Sequence, residues 1–148
     1  MTIYFATDHA GFELKEKLVP FVRVVLKYEV VDCGAYELNS EDDYPEFIKK
    51  AAEAVSQNPH EVKAIILGGS GEGEAMVANK FPNVRATEYY GGNMEIIKLG
   101  REHNDANILS LGARFVTEQE AMEAVTLWLS TPFSEEERHK RRIEQIDK

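Results

Sequence analysis

Val62-Lys63-Ala64-Ile65-Ile66-Leu67, followed by Gly68-Gly69-Ser70-Gly71-Glu72-Gly73-Glu74-Ala75-Met76-Val77-Ala78-Asn79-Lys80, decides how this chain reads. An apolar, β-rich run that ends in glycines and then passes into a helical pattern is a strand–turn–helix unit. Its backbone N–H groups converge on the turn and suit an anion or an oxyanion. A nucleotide phosphate loop would end in Gly-Lys-Ser or Gly-Lys-Thr, and a dinucleotide fingerprint needs G-x-G-x-x-G. Here the glycines stand at 68, 69, 71 and 73, and Glu74 follows the last of them. A carboxylate beside an oxyanion trap points to proton-transfer chemistry. The plainer alternative is a tight turn without a ligand.

Outward from this unit, β-rich segments alternate with helical patterns along the whole chain. Strands are expected over 2–6, 28–31, 62–67, 84–87 and 107–111. Helices are expected over 11–27, 45–57, 73–80, 91–102 and 118–129, with Pro20 as a point of kinking in the first. Thr117 with Glu120, and Ser134 with Glu137, have the spacing of a capping box, so helices should start at both, the second running to the C-terminus. Such alternation predicts an α/β fold: a single-domain three-layer α/β/α sandwich over 1–148 around a five-stranded parallel, Rossmann-like sheet. In an open parallel sheet the ligand site lies beyond the carboxyl ends of the strands. Asp8, His9, Gly34, the glycine loop and Arg114 all fall there.

The chain has 148 residues and a formal net charge of -9. An acidic surface argues against nucleic-acid or membrane-surface partners, while a local cationic patch would still hold a small anion. Cys33 is the single cysteine, so an intrachain disulfide or cysteine zinc cluster is excluded, and the composition suits the cytoplasm. No export signal or membrane span is visible in the sequence.

Three polar groups join the glycine loop as candidates. Asp8-His9-Ala10-Gly11 closes the first strand, either as a helix cap with an incidental His or as a phosphate-binding or proton-moving pair. Arg101-Glu102-His103-Asn104-Asp105 precedes the last strand. The last helix carries Arg138, His139, Lys140, Arg141 and Arg142. Arg138 and Arg142 are one turn apart and share a face, as a phosphate clamp requires. A solvated charged helix is the alternative.

With these residues side by side, the sequence resembles the ribose-5-phosphate isomerase B family, which also contains allose-6-phosphate and galactose-6-phosphate isomerases. The resemblance rests, in order, on the block from Asp8 to Lys15, Asp43-Tyr44-Pro45, the glycine loop with Ala78-Asn79-Lys80, Arg85-Ala86, the block from Arg101 to Asn107, Leu111-Gly112-Ala113-Arg114, the block from Trp128 to Phe133, and Arg138-His139. One branch of the family uses a cysteine base at the end of the third strand, where this chain has Gly68. The other uses a glutamate just past the glycine loop, where it has Glu74.

The resemblance implies interconversion of ribose 5-phosphate and ribulose 5-phosphate through an enediolate, without metal or organic cofactor. Glu74 would be the base, His103 with Asp8 would assist ring opening, and the loop residues Gly69, Ser70, Gly71 and Gly73 would stabilise the oxyanion. Tyr44 and Asn104 would position the sugar. His9, Arg114, Arg138, His139 and Arg142 would hold the phosphate. A homodimer with shared active sites is implied, alone or paired into a tetramer. Two features depart from relatives: the extra carboxylate Glu72, and Glu88-Tyr89-Tyr90-Gly91-Gly92 in place of smaller residues after the fourth strand. Hexose 6-phosphate isomerase and non-catalytic subunit of a hetero-oligomer are the alternatives within the family. A flavodoxin-like electron carrier is the alternative outside it.

Overall fold

The computed structural model describes residues 1–148. Five strands, β1 (Thr2–Thr7), β2 (Glu29–Asp32), β3 (Val62–Gly68), β4 (Ala86–Tyr89) and β5 (Ile108–Gly112), form one parallel sheet in the order β2-β1-β3-β5-β4. Six α-helices accompany them: α1 (Phe12–Pro20), α2 (Tyr44–Gln57), α3 (Glu72–Ala78), α4 (Glu95–Asn104), α5 (Glu118–Ser130) and α6 (Glu137–Ile146).

Alternation along the strands splits the interior into two cores. Ile65 and Leu67 of β3 face α1, α4 and α5, packing with Leu18, Ile97, Ala121, Val125 and Trp128. Ala64 and Ile66 face α2 and α3, packing with Ile48, Ala52, Val55 and Ala78. Both faces of the sheet are therefore covered, giving the expected α/β/α layers. Cys33 is a buried member of the second core.

Three segments differ from the sequence reading. The segment expected as one helix over 11–27 is three pieces: a 3-10 turn (His9–Gly11), α1, and a π turn (Phe21–Val25). Pro20 has no N–H to give the α ladder, and beyond it the turn widens until Leu26 N–H bonds the Phe21 carbonyl at 3.1 Å. β4 starts at Ala86 rather than Val84, because Asn107 Oδ1 takes the Arg85 N–H and the Asn79 side chain pairs with both the N–H and the carbonyl of Ala86. α4 starts at Glu95 rather than Gly91. Gly91 and Gly92 have φ of 103° and 91°, conformations outside any helix, and Asn93 Oδ1 accepts from Glu95 N–H.

The Thr117–Glu120 capping box forms. The one expected at Ser134–Glu137 does not. Ser134 Oγ instead lies 2.7 Å from His139 Nδ1, and α6 begins at Glu137 without a side-chain cap.

Candidate active site

The strand order turns in opposite directions from β1 and β3, so a crevice opens at their carboxyl ends, where ligands of open α/β sheets bind. Asp8 follows β1 and the glycine loop follows β3. Gly71 has φ 84°, a left-handed conformation that turns the chain into α3. Its carbonyl accepts from Ser110 Oγ at 2.6 Å, pinning the loop to β5. The N–H groups of Gly69, Ser70, Gly71 and Gly73 have no acceptor within the chain. They form a set of free donors at the mouth of the crevice.

Glu74 is 4% exposed. Its carboxyl group lies over Gly68, so that a Cβ at position 68 would overlap it. Burial holds the Glu74 carboxyl above the usual carboxylate range; its own N–H opposes this, and the charges of Asp8 and Glu88 add to it. Glu72 points to solvent and acts on Glu88, which is itself raised mainly by burial.

The other residues of this end converge on the loop. Tyr44 opens α2 with its hydroxyl over Gly73, where an added Cβ would come within 2.6 Å. Arg114, exposed just past β5, lies over Gly69 at 3.1 Å from the equivalent position. Asp8 Oδ1 accepts from Ala10 N–H at 3.0 Å. His9 Nδ1 sits 2.7 Å from Asp42 Oδ1, which also accepts the His9 N–H at 3.0 Å. That hydrogen bond, above all, raises the His9 pKa; partial desolvation and Arg114 oppose it, and the charges of Asp8 and Asp42 add to it. Asp42 was not among the sequence candidates. Asp42 and Asp43 stand together ahead of Tyr44, and the sequence alone does not reveal which of the two turns inward.

The remaining candidates lie at the other end of the sheet. His103 and Asn104 close α4 before β5 begins, whereas Arg114 follows its end. The five residues of β5 separate the two groups by roughly 13 Å at about 3.3 Å per residue. His103 stacks on His139 with ring centroids 4.4 Å apart. His139 is buried, and that burial followed by the His103 charge lowers its pKa. Arg138 pairs with Glu136 at 2.7 Å on the exposed side of α6. Arg142 is exposed on the same helix.

Two charged residues of the polar block around His103 are structural. Arg101, 4% exposed, donates to the carbonyls of Ala106 and Thr131 and to Asp105 Oδ1. Arg85 holds the Asn104 and Asp105 carbonyls. Together they fix the turn that presents His103 and Asn104. A single chain thus brings together Asp8, His9, Tyr44, the loop, Glu74 and Arg114, and holds His103, Asn104, Arg138, His139 and Arg142 apart from them.

The model of the family described as Ribose/Galactose Isomerase matches residues 3–146. Ribose-5-phosphate isomerase B of Mycolicibacterium paratuberculosis is 39% identical over 144 residues, covering 97% of this chain and 88% of that protein. The crystal structure of ribose-5-phosphate isomerase B from Mycoplasma genitalium with bound ribulose-5-phosphate superposes with a TM-score of 0.92 at 34% identity, over 99% of this chain and 93% of that one. Ribose-5-phosphate isomerase B of Clostridium thermocellum gives 0.91 at 38% identity, covering 99% and 95%. No helix of this chain is long and apolar enough to cross a membrane.

Proposed function

Since the chain belongs to the ribose/galactose isomerase family and is an aldose–ketose isomerase, we propose that it interconverts ribose 5-phosphate and ribulose 5-phosphate with Glu74 as the base. The observation that carries this reading is the Glu74 carboxyl, buried over Gly68 and beside four unused N–H donors. Burial raises its proton affinity, which brings a carboxylate closer to the range where it both takes and returns a proton.

In the opened sugar, Glu74 removes the proton from C2, and the C1 carbonyl oxygen takes up the developing charge as the enediolate forms. The N–H groups of Gly69, Ser70, Gly71 and Gly73 stabilise that charge. The same carboxyl then delivers the proton to C1 while the proton of the C2 hydroxyl passes to the C1 oxygen, leaving the C2 carbonyl and C1 hydroxyl of the ketose, so no external oxidant or reductant is needed. Asp8 lies close enough to exert its charge on Glu74 and serves ring opening together with His103. Tyr44 and Asn104 orient the sugar hydroxyls. His9 and Arg114 from one end, with Arg138, His139 and Arg142 from the other, hold the phosphate, the arginines through their planar fork.

Because one chain separates these groups by a strand length, the complete site requires a second copy of the chain. The proposed assembly is a homodimer in which each site takes Glu74 from one subunit and His103 from the other.

Glu74→Gln is the decisive variant. It keeps the shape of the group and removes the base, so kcat should fall by roughly 100-fold or more while KM changes little. Near-parental turnover would overturn the assignment. Wash-in of deuterium from D2O, compared across ribose, allose and galactose phosphates, reads the same proton transfer and identifies the preferred sugar.

A further inference from the structure

We propose that Asp42 is a positioning residue of the phosphate site, gripping Nδ1–H of His9 so that Nε2–H faces the sugar phosphate as a cationic donor. The inference rests on the phosphate role given to His9 above, and extends it to a residue outside the motif blocks.

Three observations carry it. First, one oxygen of Asp42 receives both the His9 backbone N–H at 3.0 Å and the ring Nδ1 at 2.7 Å, fixing the main chain and the imidazole to the same acceptor. A carboxylate accepts and does not donate, so Nδ1 must carry the proton. Second, Nε2 has no partner within the chain, which leaves that edge of the ring free for a ligand. Third, the Asp42 side chain is 8% exposed, and its second oxygen is buried without a hydrogen-bond partner. No lysine or arginine nitrogen lies within 4.0 Å of it, so His9 is the group that compensates the buried charge. An uncompensated buried carboxylate is costly, and the imidazolium is therefore the favoured form of the ring. Asp8, at 3.8 Å from Nδ1, acts in the same direction, and Arg114 acts against it.

The consequence is a positive charge at the phosphate position that persists to higher pH than that of an unassisted histidine. Asp42→Asn keeps an acceptor for Nδ1–H and removes the charge that holds the second proton. NMR titration of the His9 ring in the ligand-free protein should show its midpoint falling toward an ordinary histidine value. Inorganic phosphate serves as the binding probe, with the ratio of variant to parent Kd taken at each pH so that titration of phosphate itself cancels.

That ratio should be near one at pH 6, where both rings are largely protonated, and rise several-fold by pH 8, where the variant ring has lost its charge and the parent ring keeps more of it. In the isomerase assay the loss should fall on KM rather than kcat. Asp42→Ala, which removes the acceptor as well, should weaken phosphate at both pH values. In a His9→Asn background Asp42→Asn should change nothing further.

An unchanged His9 titration in Asp42→Asn, an equal ratio at both pH values, or an additive effect in the double variant would each overturn the proposal. Failure of the underlying reading is separately visible: His9→Asn alone would then leave phosphate affinity untouched. Neither NMR nor phosphate binding depends on turnover, so an inactive preparation would still decide the role of Asp42.

Discussion

Glu74 occupies the room that a side chain on Gly68 would need, and this one substitution of space sets its chemistry. The carboxyl is enclosed between the end of β3 and the first turn of α3, and enclosure favours its neutral form. The same fact has a thermodynamic side. A carboxyl whose pKa is raised by folding binds its proton more tightly in the native state, so its contribution to stability is fully present below the ordinary Glu pKa and is lost as pH rises through the native value. Glu74→Gln removes that loss. Thermal unfolding followed against pH should show the variant gaining Tm on the parent between acid and neutral pH, with the two curves converging at the acid end. A gap that stays constant with pH would mean the carboxyl is not held above its ordinary range.

The existence of Glu74 as a candidate was legible in the sequence, because a carboxylate after a glycine turn breaks the nucleotide patterns. Its burial was not, since the alternating glycines leave Glu72 and Glu74 equally near the turn, and only the register of α3 sends one inward and the other to solvent. Asp42 escaped for a similar reason: its partner His9 is 33 residues away, and no local rule connects them.

At the level of the elements, the sequence was most informative where one residue fixes the backbone and least where side chains compete for it. Thr117 and Glu120 close their reciprocal cap at 3.1 Å and 2.9 Å, starting α5 where expected. Ser134 and Glu137 have identical spacing, yet the Ser134 hydroxyl is drawn to His139 instead, and the cap is forgone. Local pattern describes the opportunity for a cap, and tertiary contact decides its use. Thr117→Ala should therefore cost about 1 kcal/mol, the usual value of an N-cap, measured by denaturant unfolding with an unchanged m value. Ser134→Ala is a different matter. Its effect should appear in the His139–His103 stack and in phosphate affinity, because that hydroxyl meets the His139 ring at 2.7 Å as well as accepting the Glu136 N–H at 3.3 Å. The same competition moved the start of β4, where Asn79 and Asn107 claim the backbone groups at its entrance.

For the molecule as a whole, all five strands, their parallel sense and the three layers followed from hydrophobic periodicity. The strand order did not, because nothing local places β5 inside β4. That order matters for function: it puts β5 beside β3, brings the Arg114 N–H to the Gly69 carbonyl at 3.1 Å, and seats the guanidinium over the glycine loop. The separation of the site into two ends of the sheet is likewise invisible to spacing along the chain, and it is the basis of the proposed homodimer.

Mixing subunits tests it. Glu74→Gln and His103→Asn should each be nearly inactive alone, yet a reassembled mixture should recover about a quarter of parental activity. Half of the dimers formed at random are hybrids, and each hybrid holds one intact site. No recovery after verified exchange would show that both groups act within one chain. The distance between the two ends has a further outcome for a cell. In the proposed homodimer a lone copy would be dormant, so output would climb more steeply than linearly with expression at low abundance, up to the square of the amount of chain made.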